Sequence, residues 1–209
     1  MNTFDERLDE LAQTANRADL HYTIWWIYKH ERPTYVNVMD EFLGFFSASL
    51  GAHFVAMVME LYKLLEFRSD SVSLKALLEE AERNSELDRP TIDALKREVA
   101  GLDPMRAKLA LLRHKLFAHR DRQLSYDSVL ASAAVAPDDF RDLIDRAFDI
   151  LNKVISYRRM GAWRRDQRTG RDTHRLLDTL VELRGRGSPN PPLRRTADAA
   201  GEGQERLGG

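Results

Sequence analysis

The sequence predicts an all-α protein, a bundle of five or six helices with an arginine-rich C-terminal appendage. Apolar residues recur at steps of three and four through most of the first 157 positions, the period of one helical face. Proline, aspartate and serine stand where helices would begin. No segment alternates apolar and polar residues for long enough to argue for a strand.

Phe4, Leu8, Leu11, Ala15, Ala18, Tyr22 and Trp25 define a first helix over about 4–30. Pro33 follows, and a second helix is expected from about Thr34 to the region of Phe67, carrying Val38, Phe42, Phe45, Leu50, Phe54, Met57 and Leu61. It is apolar on more than one face, which suits a central position or an oligomer interface. Ser71 or Ser73 can cap a short helix over about 74–84, and Asp88 with Pro90 opens another through Ile92, Leu95 and Val99. Gly101 interrupts that pattern, and Asp103-Pro104 starts a fresh helix, or a kinked continuation, to about His119. After a polar connection, Pro137-Asp138-Asp139 opens the most regular helix, with Phe140, Leu143, Ile144, Ala147, Ile150, Leu151, Val154 and Ile155 on one stripe. These helices form a body over 1–157. Residues 158–184 read as a basic linker with one more helix over Thr173–Leu183, and 185–209 as a tail with too few apolar residues to pack, expected to be disordered.

The chain has 32 Lys+Arg against 33 Asp+Glu, so it is not a strongly basic nucleic-acid binder overall. The charge is unevenly divided: residues 1–157 hold 20 basic and 26 acidic side chains, residues 158–209 hold 12 and 7. Without cysteine there is no disulfide, no thiolate metal site and no cysteine nucleophile. The six histidines show no ligand-like spacing, so neither a metal nor another cofactor is expected. The acidic, amphipathic N-terminus does not resemble a secretory signal, and no uncharged apolar stretch is expected to approach the roughly 20 residues that span a bilayer. A cytoplasmic protein with no membrane partner is the expectation.

One segment stands apart. Residues 105–122 carry Arg106, Lys108, Arg113, Lys115, Arg120 and Arg122 with only Asp121 acidic, and hold His114 and His119. Histidine exchanges protons near neutrality, and arginine is a permanent fork-shaped donor for phosphate oxygens, so together they point to phosphodiester chemistry. Arg106, Arg113 and Arg120 recur at steps of seven and run down nearly one helical face, as a phosphate track with Lys115 beside it. Six residues of straight helix place His119 about 120° round and about 9 Å along from Arg113, so the two do not share a face. A common phosphate then needs the helix to loosen near Ala118–His119, or a second copy of the chain. The plainer alternative is a helix C-terminus whose cations meet terminal carbonyls.

Arg113-His114-Lys115-Leu116-Phe117-Ala118-His119 resembles the signature of the HEPN proteins, an Arg, commonly followed by a polar residue, that four to six residues separate from a His. The longer string RHKLFAHRD is similar to the abortive-infection U-like (AbiU-like) branch, whose usual form is Arg-Asn-Lys followed by Ala-His-x-Asp; His114 stands where Asn is more frequent. The resemblance covers roughly 1–157, and the arginine-rich tail has no counterpart in it. Spacing alone is weak, because Arg168 and His174 repeat it; that copy contains Gly170 and lacks apolar residues between its ends.

The resemblance implies a HEPN-like bundle, a homodimer with paired motifs facing one cleft, and a ribonuclease toxin of a toxin–antitoxin or abortive-infection system. A nucleotidyltransferase-type antitoxin is then an implied partner. His119 would act as general base on the ribose 2′-OH or as general acid on the leaving 5′-oxygen, Arg113 would stabilise the phosphorane, and His114 would orient the phosphate or supply the second proton-transfer group. The alternative is a non-catalytic HEPN-like dimer that binds RNA, a nucleotide or a protein. His53, amid apolar neighbours, reads as a hydrogen-bonded core residue, and Trp25, Trp26, Tyr28 and Tyr35 as core or dimer interface rather than a base-stacking platform. The arginines of 158–171, with Trp163 among them, could grip RNA or an acidic partner, although such runs are usually solvated.

Overall fold

The computed structural model describes residues 3–68, 71–118, 126–159 and 161–185, and among them it is all helix. The tail expected beyond 185 and the positions of His119, Arg120, Asp121 and Arg122 lie outside the described residues. Nine helices appear among those described: α1 Phe4–His30, α2 Arg32–Glu41, α3 Leu43–Leu64, α4 Leu74–Arg83, α5 Arg89–Ala100, α6 Asp103–Ala118, α7 Tyr126–Ser132, α8 Pro137–Arg159 and α9 Arg168–Gly185.

Local chemistry sets several of these starts. Thr3 and Glu6 close a reciprocal capping box, the Glu6 amide donating to Thr3 Oγ1 at 3.2 Å and the Thr3 amide to Glu6 Oε2 at 2.7 Å. Ser73, rather than Ser71, caps α4, and Asp88 caps α5 by accepting from the Thr91 amide at 2.8 Å. At Gly101 the Arg146 guanidinium crosses from α8 and donates to the carbonyls of Gly101 and Glu98, both at 3.3 Å. α5 ends at Ala100 with Gly101 as its C-cap, and α6 starts anew at Asp103.

The single helix expected from Thr34 to Phe67 is divided. Tyr35 (φ −109°, ψ 16°) bends α2, and Phe42 (φ −108°, ψ 37°) separates it from α3. The halves serve different neighbours: Tyr35, Val38 and Met39 bury against Leu177 of α9, whereas Phe54, Met57, Val58 and Leu61 bury completely in the main core. The expectation that no apolar stretch nears a bilayer's span is also corrected. No Asp, Glu, Lys or Arg occurs from Phe42 to Met59, and α3 is long and apolar enough to cross a membrane by length and composition alone. In this fold its inner face joins the main core, while Phe45 on the other side is 60% exposed.

Every apolar residue read onto the first and the last body helix is buried, from Phe4 to Trp25 on α1 and from Phe140 to Ile155 on α8. Two features were not legible as helix: α7 falls in the stretch taken as a polar connection, and α9 begins five residues before Thr173. α9 is held by Leu177, by the Tyr35 hydroxyl donating to Asp178 Oδ1 at 2.8 Å, and by Arg184 beside Glu41 at 3.4 Å. The Asp178 contact pushes the Tyr35 phenol up to about 12. Part of the basic stretch is spent on the body itself: Arg158 pairs with Asp5 and Glu86, and Arg165 with Asp145 and Asp19. Trp163 exchanges backbone hydrogen bonds with the Asn152 side chain at 2.7 and 3.2 Å.

His53 meets His21 across the α1–α3 interface, Nδ1 to Nδ1 at 2.9 Å, so one ring donates and the other accepts. Burial pushes both below the ordinary 6.5, with Arg17 and the His21–His53 contact acting in the same direction and Glu60 opposing it at His21. The unfolded chain therefore takes up protons at this pair before the folded one does. Its contribution is complete above about pH 6.5 and is lost as the pH falls below that value. His174 runs the other way, because its bond to Glu31 raises its pKa; that contribution is complete below about pH 6.5 and is lost as pH rises through the folded value. We predict that the thermal midpoint falls between pH 7 and pH 5 and falls less in a His21→Gln/His53→Gln double variant. Equal slopes in the two proteins would contradict this account of the pair.

Candidate active site

α6 carries the basic segment on an amphipathic frame. Leu109 and Leu112 are fully buried and Met105 and Leu116 pack partly against the same core, so the steps of three and four anchor one side of the helix. By helical rotation Arg106 and Arg113 share one flank of that anchored side, Lys108 and Lys115 share the other, and His114 stands on the outer face. Contacts agree with this division. Arg106 lies with Cζ 3.9 Å from the centre of the Phe67 ring, and Arg113 with Cζ 4.7 Å from that of Tyr62, both rings belonging to α3 or the chain just after it. On the opposite flank Lys108 Nζ is 3.6 Å from Asp139 Oδ2 at the start of α8.

The predicted site residues thus separate into two groups. Arg106 and Arg113 do line one flank, as the heptad spacing requires, but Arg106 also leans on Asp103 at 3.4 Å. Arg113 is exposed, rests on an aromatic ring, and among the described residues has no carboxylate paired with it. A guanidinium seated on a ring keeps its charge and donors available to an anion. His114 is exposed and Lys115 half-buried, off the Arg113 flank. His119 and Arg120 lie outside the described residues, and α6 is described only as far as Ala118.

Tyr62 and Phe67 are the contributors that sequence reading missed. Phe67 marks only the end of the expected second helix and Tyr62 carries no reading; the available signal is two aromatic residues where the long apolar helix turns polar, with nothing to say that arginines cover them. The second Arg–His copy is used otherwise. His174 Nδ1 lies 2.8 Å from the Gly170 carbonyl oxygen and Nε2 2.8 Å from Glu31 Oε1, while Arg168 pairs with Asp166 at 3.0 Å. Both members of that copy are engaged in holding α9 and its approach. Trp25, Tyr28 and Tyr35 are core residues, and no group of three or more His, Asp or Glu suited to a metal occurs among the described residues.

The described residues form an all-helical bundle whose late helix α6 carries Arg113, six residues before His119 in sequence, with no carboxylate paired to it among those residues. The family model HEPN_AbiU2, described as AbiU2, matches residues 1–166, and the chain belongs to that family. The match ends just before α9. No curated protein and no solved structure matches the chain.

The ring seats give a stability prediction. A guanidinium over a partly exposed ring contributes about 0.5–1 kcal/mol. A double-mutant cycle of Arg113→Ala with Tyr62→Leu, read by urea denaturation, should return a coupling of that size. Strictly additive effects would show that Arg113 is not seated on Tyr62.

Proposed function

We propose that this protein is a ribonuclease that cuts RNA without a metal ion, acting in the cytoplasm as the toxin of a toxin–antitoxin or abortive-infection system. The observation that carries the reading is Arg113: a permanently charged, exposed guanidinium with no paired carboxylate among the described residues, in a chain of the AbiU2 family and ahead of His119 in the RHKLFAHRD string. The other cations whose contacts are described on α6, Arg106 and Lys108, have acidic neighbours.

In the proposed reaction His119 takes the proton from the ribose 2′-OH, or delivers one to the departing 5′-oxygen. The 2′-oxygen attacks phosphorus, the bond to the 5′-oxygen breaks, and a 2′,3′-cyclic phosphate remains. Arg113 offsets the charge that gathers on the phosphorane, and His114 orients the phosphate or serves as the second proton-transfer group. Arg106, Lys115 and Arg120 hold neighbouring phosphates. DNA lacks the 2′-hydroxyl and is not cut. A straight helix continued to His119 would set it about 120° round from Arg113; in this reading, as the family resemblance implies, a second copy of the chain completes the site across a homodimer interface. A nucleotidyltransferase-type antitoxin restrains it.

The reading is tested by expressing the wild type and His119→Ala and by incubating each purified protein with mixed cellular RNA in EDTA. General acid–base groups contribute roughly 10²–10⁴-fold, so cleavage and growth arrest should vanish in the variant while the dimer persists. Equal cleavage by the two proteins sinks the assignment of His119, loss of wild-type cleavage in EDTA sinks the metal-free mechanism, and RNA bound but never cut favours a binding module.

A further inference from the structure

A cavity of about 310 Å³ opens between α4, α5 and the start of α6, beside the flank that carries Arg106. Its lining is mainly apolar, from Leu78, Val99 and Ala100, with the Phe67 ring, 42% exposed, among the lining side chains. Lys75, Lys96, Glu79 and Asp103 supply polar groups of both signs. Each cation already has an acidic neighbour: Lys75 lies 3.7 Å from Glu79, Lys96 pairs with Glu82, and Arg106 lies 3.4 Å from Asp103. Charge is therefore balanced around the cavity, which disfavours a free polyanion as its occupant. A flat ring with donors and acceptors on its edge fits better, because the apolar lining takes the faces and the Lys and carboxylate groups take the edge.

Position narrows the class. Arg106 closes on Phe67 from the α6 side at 3.9 Å, and Lys75 Nζ lies 4.5 Å from the same ring. Arg113 follows Arg106 by seven residues, about 10.5 Å along the helix and on nearly the same flank. A strand whose phosphate lies at Arg113 thus has Arg106 next in its path and the cavity just beyond. Single-stranded RNA is read in this manner, by splaying a base into a pocket where its faces are packed and its edge is hydrogen-bonded.

We propose that this cavity is a nucleobase subsite for single-stranded RNA, which selects the base lying a short way along the strand from the phosphate held by Arg113. The proposal rests on the ribonuclease reading for its link to cleavage, but binding alone can test it. Carboxylates and lysines together discriminate base edges, so the subsite gives preference among bases, whereas the arginine track gives affinity without sequence.

The test uses the full chain and short single-stranded homopolymers of rA, rC, rG and rU, with affinity read by fluorescence anisotropy in EDTA on a His119→Ala background so that no cleavage intervenes. Ala100→Trp fills the cavity from an exposed position at the end of α5, and Phe67→Ala removes the exposed ring should the first variant fail to fold. One homopolymer should bind best, and either variant should weaken that binding roughly tenfold and level the preference, as expected for loss of one stacked base. With an active protein the cut-site pattern on mixed RNA should broaden in the same variants. Unchanged affinity, preference and cut-site pattern in both folded variants overturn the subsite even if RNA is cut. Base-selective binding that these variants abolish, in a protein that never cuts, sustains the subsite and overturns the ribonuclease reading alone.

Discussion

The packing of Trp25 against Phe54 and Phe140 is the contact on which the rest of the molecule depends. Their ring centres lie 5.6, 6.1 and 6.2 Å apart, with Phe140 edge-on to both of the others, and each ring comes from a different helix, α1, α3 or α8. All three side chains are essentially excluded from water. Large aromatic groups meeting edge to face fix relative helix orientation as well as burying area. Once α3 is held in this way, its far end presents Tyr62, and the chain just beyond presents Phe67, to α6. The arginines of α6 then find seats on rings while its leucines enter the core.

That order of dependence explains what the sequence disclosed and what it did not. The faces of α1 and α8 were legible because each helix buries one stripe, so periodicity maps directly onto contact. The break at Phe42 was hidden because apolar residues continue through it, and only the two different partners of α2 and α3 make a bend there favourable. α7 is too short for a period to register. The longer extent of α9 depends on Tyr35, Glu31 and Glu41, all far away in sequence. Of the site, the common flank of Arg106 and Arg113 followed from their spacing, but their ring seats did not, since spacing within one helix says nothing about what lies opposite. Capping residues were read well for the same reason that these distant contacts were not: a cap is local.

Charge placement gives the fold its functional polarity. The arginines of the basic stretch that starts at the end of α8 are partly consumed by Asp5, Glu86, Asp19 and Asp145, so the excess there is smaller on the folded surface than in the sequence. Arg113 instead rests on an aromatic ring, with no carboxylate paired to it among the described residues. In the proposed reading, an acidic body with Arg113 exposed on one flank of α6 admits an anionic strand locally without attracting it everywhere. The AbiU2 family match covers the body and this arginine and stops before α9, which packs on α1 and α2.

The central claim is that an arginine and a histidine, and not a bound ion, carry out cleavage by the 2′-oxygen. The most direct measurement is the chemistry of the RNA ends left by the purified protein in EDTA. The account predicts 2′,3′-cyclic phosphates with 5′-hydroxyl partners; 3′-hydroxyl ends paired with 5′-phosphates would contradict it.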